Sequence, residues 1–459
     1  MIDLAIVIAY LVLVLGIGLV AGRVNKSFED YAVAGRSYGS LVIFATLAAS
    51  FIGGGFSLGN AEKVFLFGIA NIVGLWGFSL KEILVSRYIA PRMNRFPDAI
   101  SIGDIMATTY GKTGRIASGV FALMLCAGIV GAQVGAMGVV FNVFLGIDVG
   151  WGIFLGFGIV VFYTTFGGMR AVVMTDVFQF IILAIGVPLV LVFGVIKVGG
   201  VGAVMAAIPA DRLEVPGLHY TWLGVAALFL AFLLGETLVP PYVQRLLIGR
   251  NTTRTARGTL YSGLFSIPFF AITGLIGLVA LAMDPKLPSN FAMPHVVVTV
   301  LPPVLKGFVI AGMIAVVMSS ADSYLNSASI AFINDIVKPL GARHLSDRTY
   351  LQMARGVTLA VGLLSMLFAI EIRSLLDILI FAYTYWAPVI VVPLAATVLG
   401  FHKSTWAFVA GAAGGVVTAF VWNQLLGKPL LIEGFVVGVL VNLAIFVLVP
   451  QPAPQRAAA

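Results

Sequence analysis

Four polar side chains share one face of an otherwise apolar segment near residue 320. The helical spacing i, i+3, i+4, i+7 is met by Ser319, Asp322, Ser323 and Asn326. Each offers oxygen ligands, and small hard cations prefer carboxylate, hydroxyl and carbonyl oxygens. The alternative is that serines in membrane helices bond their own backbone or let two helices approach closely. Because an acid and three further polar residues share the stripe, the pattern favours a cation site.

A second acid, Asp176, lies in another apolar segment, one to two helical turns from Arg170. Ionisable side chains inside a membrane are costly and are therefore functional candidates by default. Asp176 could face Asp322 and Ser323, where two acids with hydroxyls would hold a cation or share one proton. The alternative is a salt bridge from Asp176 to a nearby arginine.

Two adjacent pairs of opposite charge also fall in apolar segments. For Glu62 and Lys63, a solvated or mutually neutralised cluster near the outer face explains the pattern as well as contact with a bound molecule. Lys81 and Glu82 lie in the next apolar segment, where a packing role and a functional role are both open.

Composition assigns these charges to a membrane setting. Of the 459 residues, 60% are hydrophobic and only 10% are charged, which excludes an ordinary soluble domain. The single cysteine, Cys126, excludes a disulfide framework or a thiolate metal site. Hydropathy predicts an all-α polytopic protein with thirteen spans, at roughly 3–22, 40–68, 69–90, 117–146, 150–165, 172–197, 220–248, 258–283, 303–335, 353–371, 374–400, 404–423 and 431–449.

The net charge of +8 is a signal of topology. With the N-terminus outside and the C-terminus cytoplasmic, inner loops hold nineteen Lys and Arg residues, Arg245 among them, and outer loops hold six. A nucleic-acid role would need a basic soluble face, and the sequence offers none. We therefore expect a multi-pass protein of the plasma membrane, with the lipid bilayer as its surroundings and no obligate protein partner evident.

Two of the apolar segments are too long and are broken in the middle. The first carries Gly53, Gly54 and Gly55, and the second carries Gly235-Glu236 followed by Pro240-Pro241. Such breaks survive in a membrane where unwound backbone lines a cavity, and paired breaks in two halves indicate a transporter's binding site.

Each broken helix is the first of five, so the chain is predicted to contain two groups of five helices. Because five is odd, the second group starts from the opposite side of the membrane, and the two groups are inverted repeats. The predicted organisation is an extra N-terminal helix and inner loop, the repeats, and two C-terminal helices with a short tail. The boundaries are 1–38, 39–197, 219–400 and 401–459.

The sequence resembles the sodium/solute symporter family from Tyr31 to about Val421. The matching motifs are Asp30–Gly39, Gly167–Asp176 with Gln179, Gln244-Arg245, and Met318–Ser323 with Asn326-Ser327 and Asn334–Ile336. The resemblance implies the LeuT-like fold of 5+5 inverted repeats that hydropathy also suggests.

The resemblance also implies a main sodium site and, as in some members, a second one. The main site would use carbonyls of the first core helix with one carbonyl and two hydroxyls of the eighth, at Ala49, Ile52, Val316, Ser319 and Ser320. The second would use Asp176, Asp322 and Ser323. Here Asp322 replaces a serine or alanine of some relatives, and the added carboxylate would strengthen a cation site or permit proton coupling.

The solute site departs from the family's known patterns. Phe56 stands where sugar carriers have a glutamine, and Phe51 where proline carriers have an aspartate. Free backbone groups at the first break and the charge of Glu236 suggest a solute with a cationic or amine group. The candidate solute contacts are Gly53, Gly54, Gly55, Phe56, Phe232, Gly235, Glu236 and Tyr383. For Phe232 the alternative is a core or lipid-facing position, and for Tyr383 it is an ordinary interfacial aromatic.

These observations together predict a sodium-coupled symporter that imports a small organic solute by alternating access. A proton-coupled symporter of the same fold is the alternative, and a channel is a weaker one because the polar residues cluster at mid-depth. No set of catalytic residues is recognisable, so an enzyme is not expected.

Overall fold

Apolar helices long enough to cross a membrane dominate the described chain. The structure is a computed structural model, and it describes residues 2–341, 345–368 and 382–450. Within these ranges eight helices are long and apolar enough to cross a membrane, and the number is nine if one bent pair of helices counts as a span. Two shorter apolar helices, Trp222–Leu234 and Gly434–Leu448, accompany them. The all-helical class is confirmed, while the count of thirteen spans and the boundaries of the two repeats stay predictions.

The α-helices are numbered along the chain. They are α1 Ile2–Gly22, α2 Phe28–Val33, α3 Ser40–Phe51, α4 Asn60–Phe67, α5 Ala70–Leu84, α6 Ile102–Leu145, α7 Val149–Gly152, α8 Gly158–Val198, α9 Val201–Ala207, α10 Trp222–Leu234, α11 Pro240–Leu247, α12 Thr252–Met283, α13 Ala292–Val300, α14 Leu305–Ile330, α15 Asp347–Phe368, α16 Val392–Leu399, α17 Thr405–Phe420 and α18 Gly434–Leu448.

The first predicted break is present. Helix α3 ends at Phe51, a π-helical turn covers Gly55–Gly59, and α4 continues after a bend of 66°. Glycine at this point removes side chains from a backbone that has left the helical path. The glycine triplet therefore marks a true discontinuity between α3 and α4.

The second break separates α10 from α11. Between them Leu238 is buried and adopts φ of 55°, a left-handed conformation that is costly for a branched residue. The indole N–H of Trp386 donates to the carbonyl of Thr237 at 3.2 Å. Pro240 then starts α11, where its missing N–H is harmless. The unwound stretch is thus held by a side chain from elsewhere in the fold, as a buried backbone requires.

A sharp turn inside α8 separates two of the predicted spans. Gly168 has φ of 55° and ψ of −159°, and a Cβ at this position would lie 2.5 Å from a ring carbon of Tyr31. Only glycine meets both the left-handed backbone and the close approach. Spans predicted at 150–165 and 172–197 accordingly meet at this residue.

Helix α14 occupies the centre of the fold. Of the 18 residues in its most apolar stretch, 94% are buried inside the protein, a larger share than in any other described span. It packs against α1, α6 and α8, while α12 packs against α3, α4 and α5. The polar stripe predicted on α14 is therefore enclosed by other helices and does not face lipid.

Several expectations fall outside the described residues. They concern the basic residues Arg343, Arg373 and Arg456, part of the predicted spans at 353–371 and 374–400, and most of the C-terminal tail.

Candidate functional site

The end of α3 meets the polar stripe of α14. The hydroxyl of Ser319 donates to the carbonyl of Ala49 at 2.9 Å and to that of Val316 at 3.2 Å. The hydroxyl of Ser320 donates to the carbonyl of Ser50 at 2.8 Å. All five residues are buried. Four of the five residues predicted for the main sodium site, Ala49, Val316, Ser319 and Ser320, are thus brought together, with the carbonyl of Ser50 beside them. Their hydroxyl and carbonyl oxygens are the ligand type that suits a hard cation.

The backbone at the first break is braced from two sides. Ile52 follows α3 with ψ of 62°, and the N–H of Gly53 donates back to the carbonyl of Phe51 at 2.6 Å. The N–H of Gly54 donates to the side-chain oxygen of Gln133 on α6, at 3.0 Å. A Cβ on Gly53 would lie 2.6 Å from the hydroxyl oxygen of Ser320. The missing side chain therefore permits the close approach of the break to α14.

Arg245 overturns one expectation. We counted it in an inner loop, but it lies on α11 with no exposed side-chain surface, paired with Asp176 at 3.0 Å. Its guanidinium also donates to the hydroxyl of Ser323 at 2.5 Å, to the carbonyl of Pro241 at 3.2 Å and to the hydroxyl of Thr46 at 3.3 Å. The alternative for Asp176, a salt bridge to an arginine, is confirmed. The buried carboxylate of Asp176 explains why Arg245 lies in the interior, because an unpaired carboxylate there would be very costly.

Asp322 lies beside this ion pair but bonds to hydroxyl groups. Its carboxylate accepts from Tyr163 at 2.5 Å, from Ser323 at 3.3 Å and from Thr175 at 3.4 Å. Hydroxyl donors stabilise a carboxylate without neutralising it. With both acids ionised, the two carboxylates and the one guanidinium of Arg245 carry one net negative charge. This cluster, Asp176, Asp322, Ser323 and Arg245, is called the α8–α14 charge cluster below.

Five phenylalanines cluster between the two breaks. Phe56 lies at their centre, with its ring centroid 5.3 Å from that of Phe78, 5.4 Å from Phe270 and 5.5 Å from Phe232. Phe51 contacts Phe78 at 4.7 Å. These separations are typical of favourable aromatic pairs. Phe232 is buried, so it does not face lipid. The predicted solute region is lined by aromatic faces in place of the hydroxyls and amides a sugar would need.

Glu236 is surrounded by tyrosines from three helical segments. Its carboxylate accepts a hydrogen bond from Tyr324 at 3.2 Å, and its second oxygen has no partner within the described protein. The hydroxyls of Tyr242 and Tyr383 also lie near this carboxylate, yet neither makes a hydrogen bond of good geometry with any residue in the described part of the chain. Buried polar atoms without partners are uncommon in proteins and indicate a place for a ligand or water.

Tyr383 is therefore not an interfacial aromatic. It is completely buried, and a Cβ on Gly235 would lie 2.6 Å from its ring. The interfacial alternative was wrong because a tyrosine's position in a segment does not reveal which neighbour covers it. The structure brings Gly235, Glu236 and Tyr383 together, as the predicted solute contacts require.

The two adjacent charge pairs have different surroundings. Lys81 and Glu82 are 2% and 3% exposed and form an ion pair of 2.6 Å. Lys63 instead lines an open cavity of about 280 Å³ together with Lys428 and Glu433, and the hydroxyl of Ser289 donates to Glu62 at 3.4 Å. Lys81 and Glu82 thus belong to the protein interior, while Lys63 borders an open cavity.

Three residues that contact the α8–α14 charge cluster could not be named from the sequence patterns above. Thr46 donates to Asp176, Ser50 lies 3.2 Å from the hydroxyl of Ser323, and Tyr163 is the nearest donor to Asp322. Thr46 and Ser50 lie one turn apart on α3, so a polar face opposite the α14 stripe was visible in the sequence. Tyr163 gave no comparable signal, because a lone tyrosine in an apolar span is common.

Relatives of known transport activity match nearly the whole chain. The high-affinity proline transporter PutP of Bacillus subtilis is 26% identical, with 96% of each chain covered. The high-affinity choline transporter 1 of Drosophila melanogaster is 27% identical over 81% of this chain and 62% of its own. Transport is thus the activity that these relatives share, while their solutes differ.

Solved structures show the same fold. The substrate-bound, outward-open state of a Na⁺-coupled sialic acid symporter aligns with TM-score 0.87 and 20% identity over 98% of both chains. The closed, bromovinylhydantoin-bound state of MHP1, a nucleobase-cation-symport-1 family transporter, aligns with TM-score 0.62 and 17% identity over 92% of this chain and 94% of that one. The profile of the Sodium:solute symporter family matches residues 31–412. The protein belongs to the sodium:solute symporter family, and is a membrane transporter rather than an enzyme.

Proposed function

We propose that this protein is a sodium-coupled symporter that imports a small organic solute by alternating access. The contact of the broken end of α3 with Ser319 and Ser320 of α14 carries the proposal. Ala49, Ile52 and Val316 supply carbonyls and the two serines supply hydroxyls, all buried or nearly so. Such an oxygen set binds Na⁺ in preference to softer cations.

The cycle follows from where the sodium site lies. These five residues, Ala49, Ile52, Val316, Ser319 and Ser320, are called the α3–α14 seam below. Sodium at this seam ties the unwound backbone of the first break to α14, and the same backbone borders the phenylalanine cluster. Solute therefore binds better once sodium has ordered the break, and by linkage sodium binds better once solute is present. Closure on the outside and opening on the inside then releases both.

The sodium gradient supplies enough energy. One charge moving down 100 mV yields about 2.3 kcal/mol, and a tenfold sodium gradient adds about 1.4 kcal/mol. One sodium ion then supports solute accumulation of roughly a few hundred-fold. The α8–α14 charge cluster carries one net negative charge and is a candidate for a second sodium ion, or for a proton in the alternative mechanism.

We also propose that the solute binds between the two breaks. Gly53, Gly54 and Gly55 present backbone without side chains there, although the N–H groups of Gly53 and Gly54 already donate to Phe51 and Gln133. Phe56 and Phe232 offer aromatic faces, and Gly235, Glu236 and Tyr383 border the opposite side. A carboxylate among aromatic rings suits a solute with an ammonium or amine group. The N-terminus lies outside and the C-terminus in the cytoplasm of this plasma-membrane protein, as the distribution of basic residues indicates.

Thermal-shift measurements on purified protein test the coupling. Small amines, amino acids and carboxylates are screened, each in sodium and in potassium, and the solute found is then followed into proteoliposomes. We expect stabilisation by the solute in sodium only, and uptake that needs an inward sodium gradient. Equal solute affinity in both salts refutes sodium coupling. Saturable counterflow separates this mechanism from a channel.

Ser320→Ala tests the seam directly. Loss of one polar ligand to a charged ion costs about 1.5–3 kcal/mol, so sodium affinity should fall about 10- to 150-fold. Ser329→Ala is the matched control, since its hydroxyl bonds to a carbonyl of the same helix at 2.8 Å, away from the break. A Ser320→Ala protein that keeps the wild-type sodium response removes Ser320 from the site.

A further inference from the structure

We propose that Phe78, Tyr242 and Glu82 form a built cation-binding site, and that the chain's own Lys81 is its ligand. The site is separate from the α3–α14 seam, and the inference goes beyond the proposed function. The chemical class that the site accepts is a primary ammonium ion.

The ammonium group of Lys81 is enclosed by groups of complementary charge. It lies 3.6 Å from the ring centroid of Phe78 and 4.5 Å from that of Tyr242. Aromatic faces attract cations within about 6 Å, most strongly when the cation is desolvated. The carboxylate of Glu82 completes the enclosure at 2.6 Å. Two ring faces and one carboxylate around a single nitrogen combine cation–π attraction with an ion pair, which suits an ammonium ion.

Burial makes this arrangement more than an ordinary ion pair. Lys81 is 2% exposed, and a buried ammonium without compensation would cost several kcal/mol. Lys81 and Glu82 are neighbours in sequence, and neighbouring side chains on a helix point in different directions. Both side chains must therefore turn toward each other. An ion pair that served only to stabilise the helix could instead use residues three or four positions apart, whose side chains already lie side by side. The enclosure explains the geometry, because its rings fix where the nitrogen must lie.

The neighbourhood links this site to the second break. Tyr242 lies on α11, just after the break, and its hydroxyl lies near the carboxylate of Glu236. Lys81 is also within electrostatic range of Glu236. A cavity of about 10 Å³ beside Lys81 and Tyr242 has room for a single water. With Lys81 in place, the two carboxylates Glu82 and Glu236 carry one net negative charge; without it they carry two.

The consequence for transport is one of ion selectivity. The tethered ammonium halves the net negative charge of Glu82 and Glu236, so these two carboxylates attract dissolved sodium less than they would without Lys81. Lys81 thus acts as a permanent internal cation.

Chemical rescue tests this inference. Lys81→Ala empties the site, so purified Lys81→Ala protein in nanodiscs should be stabilised by millimolar methylammonium chloride at constant ionic strength, balanced with KCl. Wild type, and Lys81→Met, whose uncharged side chain fills the same space, should respond at least tenfold more weakly. Tetramethylammonium, which has no N–H donor and is bulkier, should not replace methylammonium. Lys286→Ala, which removes an exposed loop lysine, is the charge control.

Each outcome decides the inference. A methylammonium response in Lys81→Ala that is no larger than in wild type and in Lys286→Ala overturns it. Should Lys81→Ala fail to fold, its purification yield with and without methylammonium becomes the readout, and no recovery overturns the inference equally. The readout needs neither sodium nor solute, so its failure is distinct from failure of sodium-coupled transport.

Discussion

The buried ion pair of Arg245 and Asp176 gives the sharpest prediction about the folded protein. Arg245→Met removes the guanidinium and leaves Asp176 and Asp322 together in a fully buried cluster. Breaking one side of a buried pair costs about 3–5 kcal/mol, because the remaining charge has no partner. We therefore expect this loss in the free energy of unfolding, measured by SDS titration of the purified protein.

Asp176→Asn should cost less than Arg245→Met. The guanidinium then remains near Asp322, so this part of the cluster becomes neutral. In the double variant neither charge of the pair is left, and the two single losses should not add. We expect a coupling energy of about 2–3 kcal/mol from the double-mutant cycle.

A surface pair provides the control for this cycle. Lys428 and Glu433 lie 3.1 Å apart, but their side chains are 46% and 20% exposed. Exposed pairs contribute about 0–1 kcal/mol, so the cycle Lys428→Met with Glu433→Gln should give a coupling in that range. Equal coupling energies at the two sites would refute the reasoning, because burial would then not determine the strength of the pair.

The same variant probes cation binding. Removing Arg245 doubles the net negative charge of the α8–α14 charge cluster, so sodium should stabilise Arg245→Met more than wild type. The gain grows as RT ln(1 + [Na⁺]/Kd), so it should rise steadily with sodium concentration. A flat sodium response in Arg245→Met contradicts the assignment of this cluster as a cation site.

Two further changes test the geometry and the ion count. Gly53→Ala places a Cβ 2.6 Å from the Ser320 hydroxyl oxygen, so we expect a loss of about 1–3 kcal/mol in unfolding free energy and weaker sodium binding. Gly131→Ala, which meets nothing within 4 Å, is the control, and similar losses for both would contradict the close approach at the break. Asp322→Asn removes one negative charge from the α8–α14 charge cluster and should abolish binding of a second cation there. Current and radiotracer flux recorded together should then show one fewer positive charge moved per solute molecule. An unchanged ratio of charge to solute would exclude a second coupled cation at Asp322.

The two breaks could be predicted because their residues have few other uses in a membrane. A glycine triplet at Gly53 and a proline pair at Pro240 both release backbone groups, and lipid cannot satisfy them. The polar stripe of α14 was equally visible, since helical spacing alone places Ser319 and Asp322 on one face. Family resemblance then selected Ala49 and Ser320, and the fold brings both segments together.

The interior charges could not be placed in the same way. Arg245 lies near the end of an apolar segment, and the positive-inside rule counts such a residue by position alone. Its partner Asp176 is 69 residues away in sequence, so the ion pair exists only in three dimensions. The enclosure of Lys81 by Tyr242, and of Glu236 by Tyr383, has the same origin. Spacing along one helix says nothing about which side chains other helices contribute.

Leu238 gives the second break a mechanical character. A left-handed backbone costs a leucine about 1–2 kcal/mol, and that energy is retained as long as the segment keeps this shape. The amount equals roughly a tenfold bias between two conformations. The stretch between α10 and α11 is therefore strained at Leu238. A second conformation of the protein in which Leu238 has a relaxed backbone would be favoured by this amount of free energy.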